Sequence, residues 1–302
     1  MKKNTEKILK KIYLLSILFF LIPFLKANQI TSTNSKIKEN SKVKKAILLV
    51  TFGTSYNQSA NVYKKIDILT KEQFQDYSVF WAYTSEKIRE KLRKEGIMID
   101  SPEDALIKLK KQNYDIVFIQ SLHVIPGQEF DELSKIADKF KSEFNTIKVS
   151  PPLLNSMKDL ESTAKILISK LPTERNKTDA VLFMGHGSPE HHSDLIYVAF
   201  AHVLQEHDKN IFIACVEGNP NFQKTINEIK NKQFKRVFLI PFMTVAGDHV
   251  KNDMAGDDEN SWKNQIVKTG IEPIPILKGI AEYEEIINLW LEHLKKTISQ
   301  EN

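Results

Sequence analysis

The sequence contains a single cysteine, Cys215, among 302 residues. An intrachain disulfide is therefore impossible, and a metal site built from several thiolates is excluded as well. Cys215 lies inside an apolar run, so we expect a small buried side chain and not a nucleophile or a ligand. The chain is long enough to form a hydrophobic core without crosslinks.

Several common catalytic motifs are also missing. The sequence has no G-x-S-x-G nucleophile elbow, no G-x-x-x-x-G-K-[ST] loop and no G-x-G-x-x-G turn, so nothing supports the use of a nucleotide. It also lacks an H-E-x-x-H helix, which argues against a zinc hydrolase of that class.

The formal net charge of +5 comes from the N-terminus. Residues 1–27 hold six lysines and one acidic residue, which leaves 37 basic and 37 acidic residues in the rest of the chain. The remaining sequence is therefore close to neutral, and its charge gives no support for nucleic-acid binding.

The N-terminal lysines precede an apolar run from Ile12 to Leu25. This run is shorter than the ~20 residues that a spanning helix needs, but it suits the apolar region of a secretory signal. We predict a signal peptide over 1–27, a flexible polar leader over 28–44, and export to the periplasm. The alternative is an uncleaved membrane anchor, because Pro23 and Leu25 are unfavourable for cleavage near Ala27.

Short apolar runs alternate with longer amphipathic segments in the rest of the chain, a pattern typical of parallel sheets covered by helices. Strands are predicted at 46–51, 78–83, 115–120, 147–150, 180–185, 211–216, 236–241 and 273–276. Helices are predicted at 59–74, 85–95, 102–111, 129–144, 156–170, 193–207, 220–231 and 281–298. We predict two doubly wound α/β domains, 45–150 and 151–302, with the last helix packing back on the first domain.

The two halves also resemble each other. Residues 46–54 match 180–188, residues 79–82 match 211–214, and residues 117–127 match 237–247, in the same order. Three ordered matches indicate an internal duplication.

Three residues with metal-binding side chains follow apolar runs of the second half: His186, Glu217 and His249. The carboxyl ends of parallel strands share one edge of a sheet, so these side chains are predicted to converge there. Imidazole and carboxylate ligands suit Co²⁺, Ni²⁺, Fe²⁺ or Zn²⁺ better than Mg²⁺ or Ca²⁺. The matched positions of the first half are Phe52, Ser85 and Glu129, which predicts a ligand set in one half facing a wall formed by the other.

Other candidates have two interpretations each. His123 either faces the cleft or is a core histidine, and His191 and His192 either line the mouth of the site or begin a solvated helix with Ser193 and Asp194 as caps. The acids near His249 either attract a cation or belong to an ordinary solvated loop. Aromatic residues at first-half strand ends either stack on a flat ligand or pack in the core; they are Phe52, Trp81 and Tyr83.

Six strings resemble the anaerobic-type sirohydrochlorin cobaltochelatases, a branch of the class II chelatases. They are LLVTFGTSY at 48–56, AYTSE at 82–86, QSLHVIPGQEF at 120–130, GHGSPEHH at 185–192, VEGNP at 216–220 and AGDHVKNDMAGDDENSWK at 246–263. The resemblance implies two α/β domains related by pseudo-twofold symmetry, with a tetrapyrrole between them. It also implies that His186, Glu217 and His249 hold the metal, with His186 and Glu217 catalytic and His186 the proton acceptor.

The reaction implied by the resemblance is insertion of Co²⁺ into sirohydrochlorin with loss of two protons, toward cobalamin and without a nucleotide. Fe²⁺, Ni²⁺ and Zn²⁺ remain alternative substrates, with ferrochelatase activity as one consequence, and a homo-oligomer is possible. The predicted export signal favours an alternative function, an exported carrier of haem, another tetrapyrrole or metal that keeps the chelatase fold.

Overall fold

The computed structural model describes residues 43–189 and 191–300, and within them all side chains except those of Gln58 and Ser59. The predicted signal peptide and all but the last two residues of the predicted leader lie outside the described residues. No helix in the described part of the chain is long and apolar enough to cross a membrane.

Eight strands and nine α-helices alternate along the described residues. The first half contains β1 (Lys45–Thr51), α1 (Asn57–Gln73), β2 (Ser78–Tyr83), α2 (Glu86–Lys94), α3 (Pro102–Lys111), β3 (Ile116–Ser121), α4 (Gln128–Lys139) and β4 (Thr146–Ser150). The second half contains α5 (Met157–Ser169), β5 (Ala180–Gly185), α6 (Asp194–His207), β6 (Ile211–Cys215), α7 (Phe222–Asn231), β7 (Arg236–Pro241), α8 (Trp262–Val267), β8 (Glu272–Pro275) and α9 (Glu284–Ser299).

The strands form two four-stranded parallel sheets with orders β2-β1-β3-β4 and β6-β5-β7-β8. These orders are the same when β1 is matched to β5, β2 to β6, β3 to β7 and β4 to β8. The shared topology agrees with the duplication seen in the sequence, and the predicted α/β class is confirmed. Every predicted strand is present with its ends shifted by at most one residue.

Two short elements were not predicted: a π-helix at Val250–Met254 and the helix α8. Each is too short to give a helical repeat of apolar residues. The helix predicted at 281–298 is divided into a 3-10 turn at Ile280–Glu282 and the helix α9. The π-helix lies in the acidic segment that follows β7, so this segment is more regular than the sequence indicated.

Alternate residues of each central strand point to different cores, as the two-residue period of a strand requires. In β1, Ile47 and Leu49 enter a core that is shared by both halves, whereas Ala46, Leu48 and Val50 face a core of the first half alone. In β5, residues 181 and 183 enter the shared core and residues 180, 182 and 184 face a second-half core. A common core therefore joins the two sheets.

The last helix, α9, packs against β3 and β4 of the first half. Trp290 of this helix is fully buried, and its indole Nε1 donates a hydrogen bond to the His123 carbonyl oxygen at 3.2 Å. Lys65 of α1 also pairs with Glu284 at the start of α9, at 3.1 Å. The helix thus crosses from the second half to the first and supports the segment that follows β3.

Candidate functional site

A cavity of about 590 Å³ lies at the carboxyl ends of the strands and is lined by residues of both halves. Its volume is in the range of small-molecule and cofactor sites. His186, Glu217 and His249 line it from the second half. The matched positions Phe52, Ser85 and Glu129 line it from the first half, as the duplication predicted.

The turn around His186 is fixed by contacts between β5 and β6. The backbone N–H of Glu217 donates to the His186 carbonyl at 3.0 Å, which extends the strand pairing into both loops. Gly187 has φ of +88°, and a Cβ at this position would lie 1.6 Å from the Glu217 carbonyl oxygen. Only glycine permits this approach and this backbone conformation, so the second glycine of G-H-G is required by the joint path of the two loops.

Hydrogen bonds orient both imidazoles in the same way. His186 Nδ1 lies 3.1 Å from the Gly187 carbonyl oxygen, and His249 Nδ1 lies 2.5 Å from the Asp253 carboxylate. Because these oxygens accept hydrogen bonds, each contact places a proton on Nδ1, so Nε2 is the nitrogen that can bind a metal ion when the ring carries one proton. The two rings are 4.9 Å apart between centroids and nearly perpendicular, at 81°. The two imidazoles therefore meet in the cavity, each with Nδ1 engaged in a hydrogen bond and Nε2 as the nitrogen left to bind a metal ion.

Glu217 reaches the same cavity as an exposed side chain. Within the described residues, no three His, Cys, Asp or Glu side chains are grouped closely enough to hold a metal ion. The structure thus brings the His186 and His249 rings together and places Glu217 on the same wall, while the three-residue ligand set stays a prediction.

Asp194, at the start of α6, ties the two ligand-bearing loops together. One carboxylate oxygen accepts from the Ser188 N–H at 2.6 Å, and the other accepts from the Asn219 N–H at 2.8 Å. A Cβ on Gly218 would lie 2.1 Å from this carboxylate, so the loop needs glycine here too. The sequence predicted Asp194 only as a helix-capping acid. Its contact with Asn219 could not be predicted, because the two residues are 25 positions apart.

Glu129 is a candidate functional residue that was named only as a counterpart of His249. It is the second residue of α4, is partly buried and lines the cavity. Burial raises the pKa of its carboxyl group, and the nearby Glu132 adds to this rise while His186 opposes it. A carboxylate with a raised pKa that faces an imidazole is suited to accept a proton. In the sequence, Glu129 could be found only because the alignment of the two halves matches it to His249.

His123 combines both of its predicted interpretations, since it lines the cavity and is also tightly packed. Its Nδ1 lies 2.8 Å from the Ser121 hydroxyl, while its buried Nε2 has no hydrogen-bond partner among the described residues. Burial lowers the pKa of the imidazole to about 4. His123 therefore stays neutral at pH 7 and presents an imidazole from the wall opposite His186.

Replacing His123 with glutamine should make the protein less sensitive to mild acid. The native imidazole has a pKa of about 4 in place of 6.5, so below pH 6.5 the unfolded chain binds a proton that the native chain does not. This difference costs the wild type about 2 kcal/mol of stability between pH 7 and pH 5. Urea unfolding at these two pH values measures it.

The exposed His202 is the control for this prediction, since it is a histidine on the outer face of α6. His202→Gln should keep the pH dependence of the wild type. If His123→Gln lost as much stability as the wild type between the two pH values, the assigned neutral state of His123 would be wrong.

His191 and His192 do not line the cavity. His191 lies between the Ser193 hydroxyl at 2.7 Å and the Asp131 carboxylate at 3.3 Å, and this second contact joins the loop after β5 to α4. The His192 ring is 4.2 Å from that of His191 and is exposed. His191 therefore supports the contact between the halves.

The acids around His249 divide into two groups. Asp253 contacts His249, and Asp248 accepts a hydrogen bond from the Tyr56 hydroxyl at 2.9 Å. Asp257 and Glu259 instead pair with lysines at the surface, as an ordinary solvated loop would. Only the first group lies near the cavity.

Of the three aromatic residues at first-half strand ends, only Phe52 lines the cavity. Its side chain is 44% exposed. Trp81 instead donates to Asp67 at 3.1 Å, and Trp81 and Tyr83 both pack against Tyr63. Packing in the core is the correct interpretation for these two. Cys215 is buried as expected, and burial raises the pKa of its thiol.

The fold is that of the chelatases. SirB from Bacillus subtilis with Fe³⁺ superposes with a TM-score of 0.57 at 15% identity, over 84% of this chain and 95% of that chain. The structure of CbiX, the terminal enzyme for biosynthesis of siroheme in denitrifying bacteria, superposes with a TM-score of 0.54 at 11% identity, over 83% of this chain and 99% of that chain.

Sequence comparison assigns the chain within this class. Residues 45–299 match the family model described as cobalt chelatase (CbiK). The sirohydrochlorin cobaltochelatase CbiKC of Nitratidesulfovibrio vulgaris is 35% identical over 85% of this chain and 91% of its own length. The sirohydrochlorin cobaltochelatase of Salmonella typhimurium is also 35% identical, over 85% of this chain and 97% of its own length. The chain belongs to the cobalt chelatase family.

Proposed function

We propose that this protein inserts Co²⁺ into sirohydrochlorin, with release of two protons and without a nucleotide. The observation that carries the proposal is the pair of imidazoles, His186 and His249, which share a cavity of about 590 Å³ with the partly buried Glu129 of the first half. The relatives named as sirohydrochlorin cobaltochelatases cover nearly the whole folded part of the chain.

The imidazoles suit the delivery of a metal ion. Insertion requires ligands that hold the ion and then release it as pyrrole nitrogens replace them one at a time. His186 and His249 each have Nδ1 engaged in a hydrogen bond, which leaves Nε2 to bind the ion, and Glu217 is an exposed carboxylate able to move with the ion. Such nitrogen and oxygen ligands accept several divalent ions, and Co²⁺ is the expected substrate, with Fe²⁺, Ni²⁺ and Zn²⁺ as alternatives.

The proton balance uses groups on both walls. Two pyrrole N–H bonds break as the metal enters, so two acceptors are needed. His186 Nε2 regains its lone pair when the ion leaves it and can take one proton, and the Glu129 carboxylate takes the other. The raised pKa of Glu129 makes it a better acceptor than an exposed carboxylate would be.

A chelation assay tests the proposal directly. Purified protein is mixed with sirohydrochlorin and Co²⁺, Fe²⁺, Ni²⁺ or Zn²⁺, and the change in tetrapyrrole absorbance is compared with that of the mixture without protein. Protoporphyrin in place of sirohydrochlorin tests substrate selectivity. A rate with Co²⁺ and sirohydrochlorin equal to the uncatalysed rate would refute the proposed activity.

Glu129→Gln should lower kcat about 100-fold, because it removes one of two proton acceptors. The rate of the wild type should fall as the pH falls through the raised pKa of Glu129, and the variant should lose this dependence. Profiles of kcat against pH measure both effects.

Glu132→Gln, one turn further along α4, is the control. It should keep the maximal rate, and the fall of kcat in acid should move to lower pH, because the variant removes a negative charge near Glu129. A Glu129→Gln variant with the wild-type profile would contradict the assignment.

We also propose that the protein is exported, on the evidence of the lysines and the apolar run in residues 1–27. Export favours a second candidate function, an exported carrier of a tetrapyrrole or metal that keeps the chelatase fold. N-terminal sequencing of the protein from fractionated cells tests export. Stoichiometric binding of haem or Co²⁺ without turnover would favour the carrier over the enzyme.

A further inference from the structure

Three lysines surround the mouth of the cavity. Lys87 and Lys91 line it from α2, where their spacing of four residues places them on one face of the helix. Lys251, in the π-helix after His249, does not line the cavity itself but contacts the cavity-lining Tyr56 from the second half. All three side chains are exposed, so their ammonium groups are available to a ligand that enters the cavity.

Tyr56 holds two of these ammonium groups in place. The Lys251 Nζ lies 3.7 Å from the centre of the Tyr56 ring, and the Lys91 Nζ lies 5.3 Å from it. The Tyr56 hydroxyl donates to Asp248, so the ring is fixed between the two halves. A cation held on an aromatic face keeps its remaining N–H donors free for an anion.

No carboxylate neutralises this group of lysines among the described residues. None of the three forms an ion pair there, whereas Lys65, Lys71 and Lys108 elsewhere on the first half each have an acidic partner. Asp248, the acid that contacts Tyr56, accepts hydrogen bonds from the Tyr56 hydroxyl and from the Asn252 amide at 3.0 Å. Like charges on neighbouring turns repel each other, so an anionic ligand would be stabilised at this position.

We propose that Lys87, Lys91 and Lys251 form a carboxylate-binding site for the edge of the tetrapyrrole. The inference rests on the proposed function. Sirohydrochlorin carries acetate and propionate side chains around its whole rim, so a macrocycle whose nitrogens face His186 and His249 also presents carboxylates to the mouth. The first half, which has no counterpart of the histidine pair, would then supply two of the three anchoring charges. Because Lys251 comes from the second half, a bound carboxylate would bridge the two halves.

Direct binding of metal-free sirohydrochlorin tests this site without requiring turnover. The Kd is measured by absorbance titration at low ionic strength for the wild type and for the double variant Lys87→Gln/Lys91→Gln. We expect the double variant to bind about tenfold more weakly, with the difference shrinking at high salt because exposed charges are screened. Lys111→Gln removes one positive charge from the end of α3, outside the cavity, and should bind as the wild type does.

A second experiment uses the methyl ester of sirohydrochlorin, in which the carboxylates are uncharged. The wild type should bind the ester more weakly than the acid. The double variant should bind the ester as well as the wild type does, because the ester has no carboxylates with which the lysines could interact. Equal Kd values for sirohydrochlorin in the wild type and the double variant would overturn the inference. A wild type that binds sirohydrochlorin in a lysine-dependent way but inserts no Co²⁺ would refute the proposed activity and support the carboxylate site.

Discussion

Replacing His186 with alanine is expected to lower the rate of Co²⁺ insertion about 1,000-fold while the protein remains folded. The variant loses a Nε2 lone pair that serves the metal and then a pyrrole proton, and His249 alone cannot supply both. The side chain makes a single hydrogen bond, to the neighbouring Gly187 carbonyl, so its loss should cost about 1 kcal/mol of stability or less. Absorbance kinetics measure the rate, and circular dichroism with thermal unfolding measures the fold.

His192→Ala is the matched control for this prediction. It removes a histidine from the same segment, but His192 is exposed and lies outside the cavity lining. Its rate should stay within about twofold of the wild type, as expected for a surface substitution away from the site. Near wild-type turnover by His186→Ala would remove His186 from the mechanism.

Gly187→Ala is expected to destabilise the protein by about 3 kcal/mol or more and to lower the insertion rate over 100-fold. The added Cβ would lie 1.6 Å from the Glu217 carbonyl oxygen, at a φ of +88° that L-residues rarely adopt. The loops of His186 and Glu217 would have to separate, which displaces both side chains. Thermal unfolding should show a decrease in Tm of about 6–12 °C.

Gly96→Ala is the control that separates the two causes of the Gly187→Ala effect, the steric contact and the positive φ. Gly96 has φ of +81°, close to that of Gly187, but no atom lies within 4 Å of its added Cβ. This variant should lose only about 1 kcal/mol and keep its activity. If Gly187→Ala were as stable and active as Gly96→Ala, the two ligand-bearing loops would not be locked together as described.

The secondary structure could be predicted almost completely from the sequence. Strands such as β5 and β7 are continuous apolar runs because they are buried on both faces, and the helices between them have a clear amphipathic repeat. The duplication could be predicted too, because equivalent strands kept similar residues. The π-helix Val250–Met254 could not, since five residues carry no periodic signal.

The placement of His186, Glu217 and His249 at the cavity could also be predicted, because the segments that follow parallel strands lie at one edge of the sheet. The offset between the halves correctly placed Phe52, Ser85 and Glu129 on the opposite wall. Which nitrogen of each imidazole is free could not be predicted, since it depends on contacts with Gly187 and Asp253.

The sequence by itself therefore determined the α/β class, the positions of the strands along the chain and the residues that follow them, all of which follow from local periodicity. Only the tertiary structure decided that Asp194 joins two loops, that burial raises the pKa of Glu129, and that Tyr56 lies between lysines of both halves. The physical reason is that these properties depend on desolvation and on contacts between distant residues, as far apart as the 192 positions between Tyr56 and Asp248. The periodicity of a sequence does not show which distant residues come into contact.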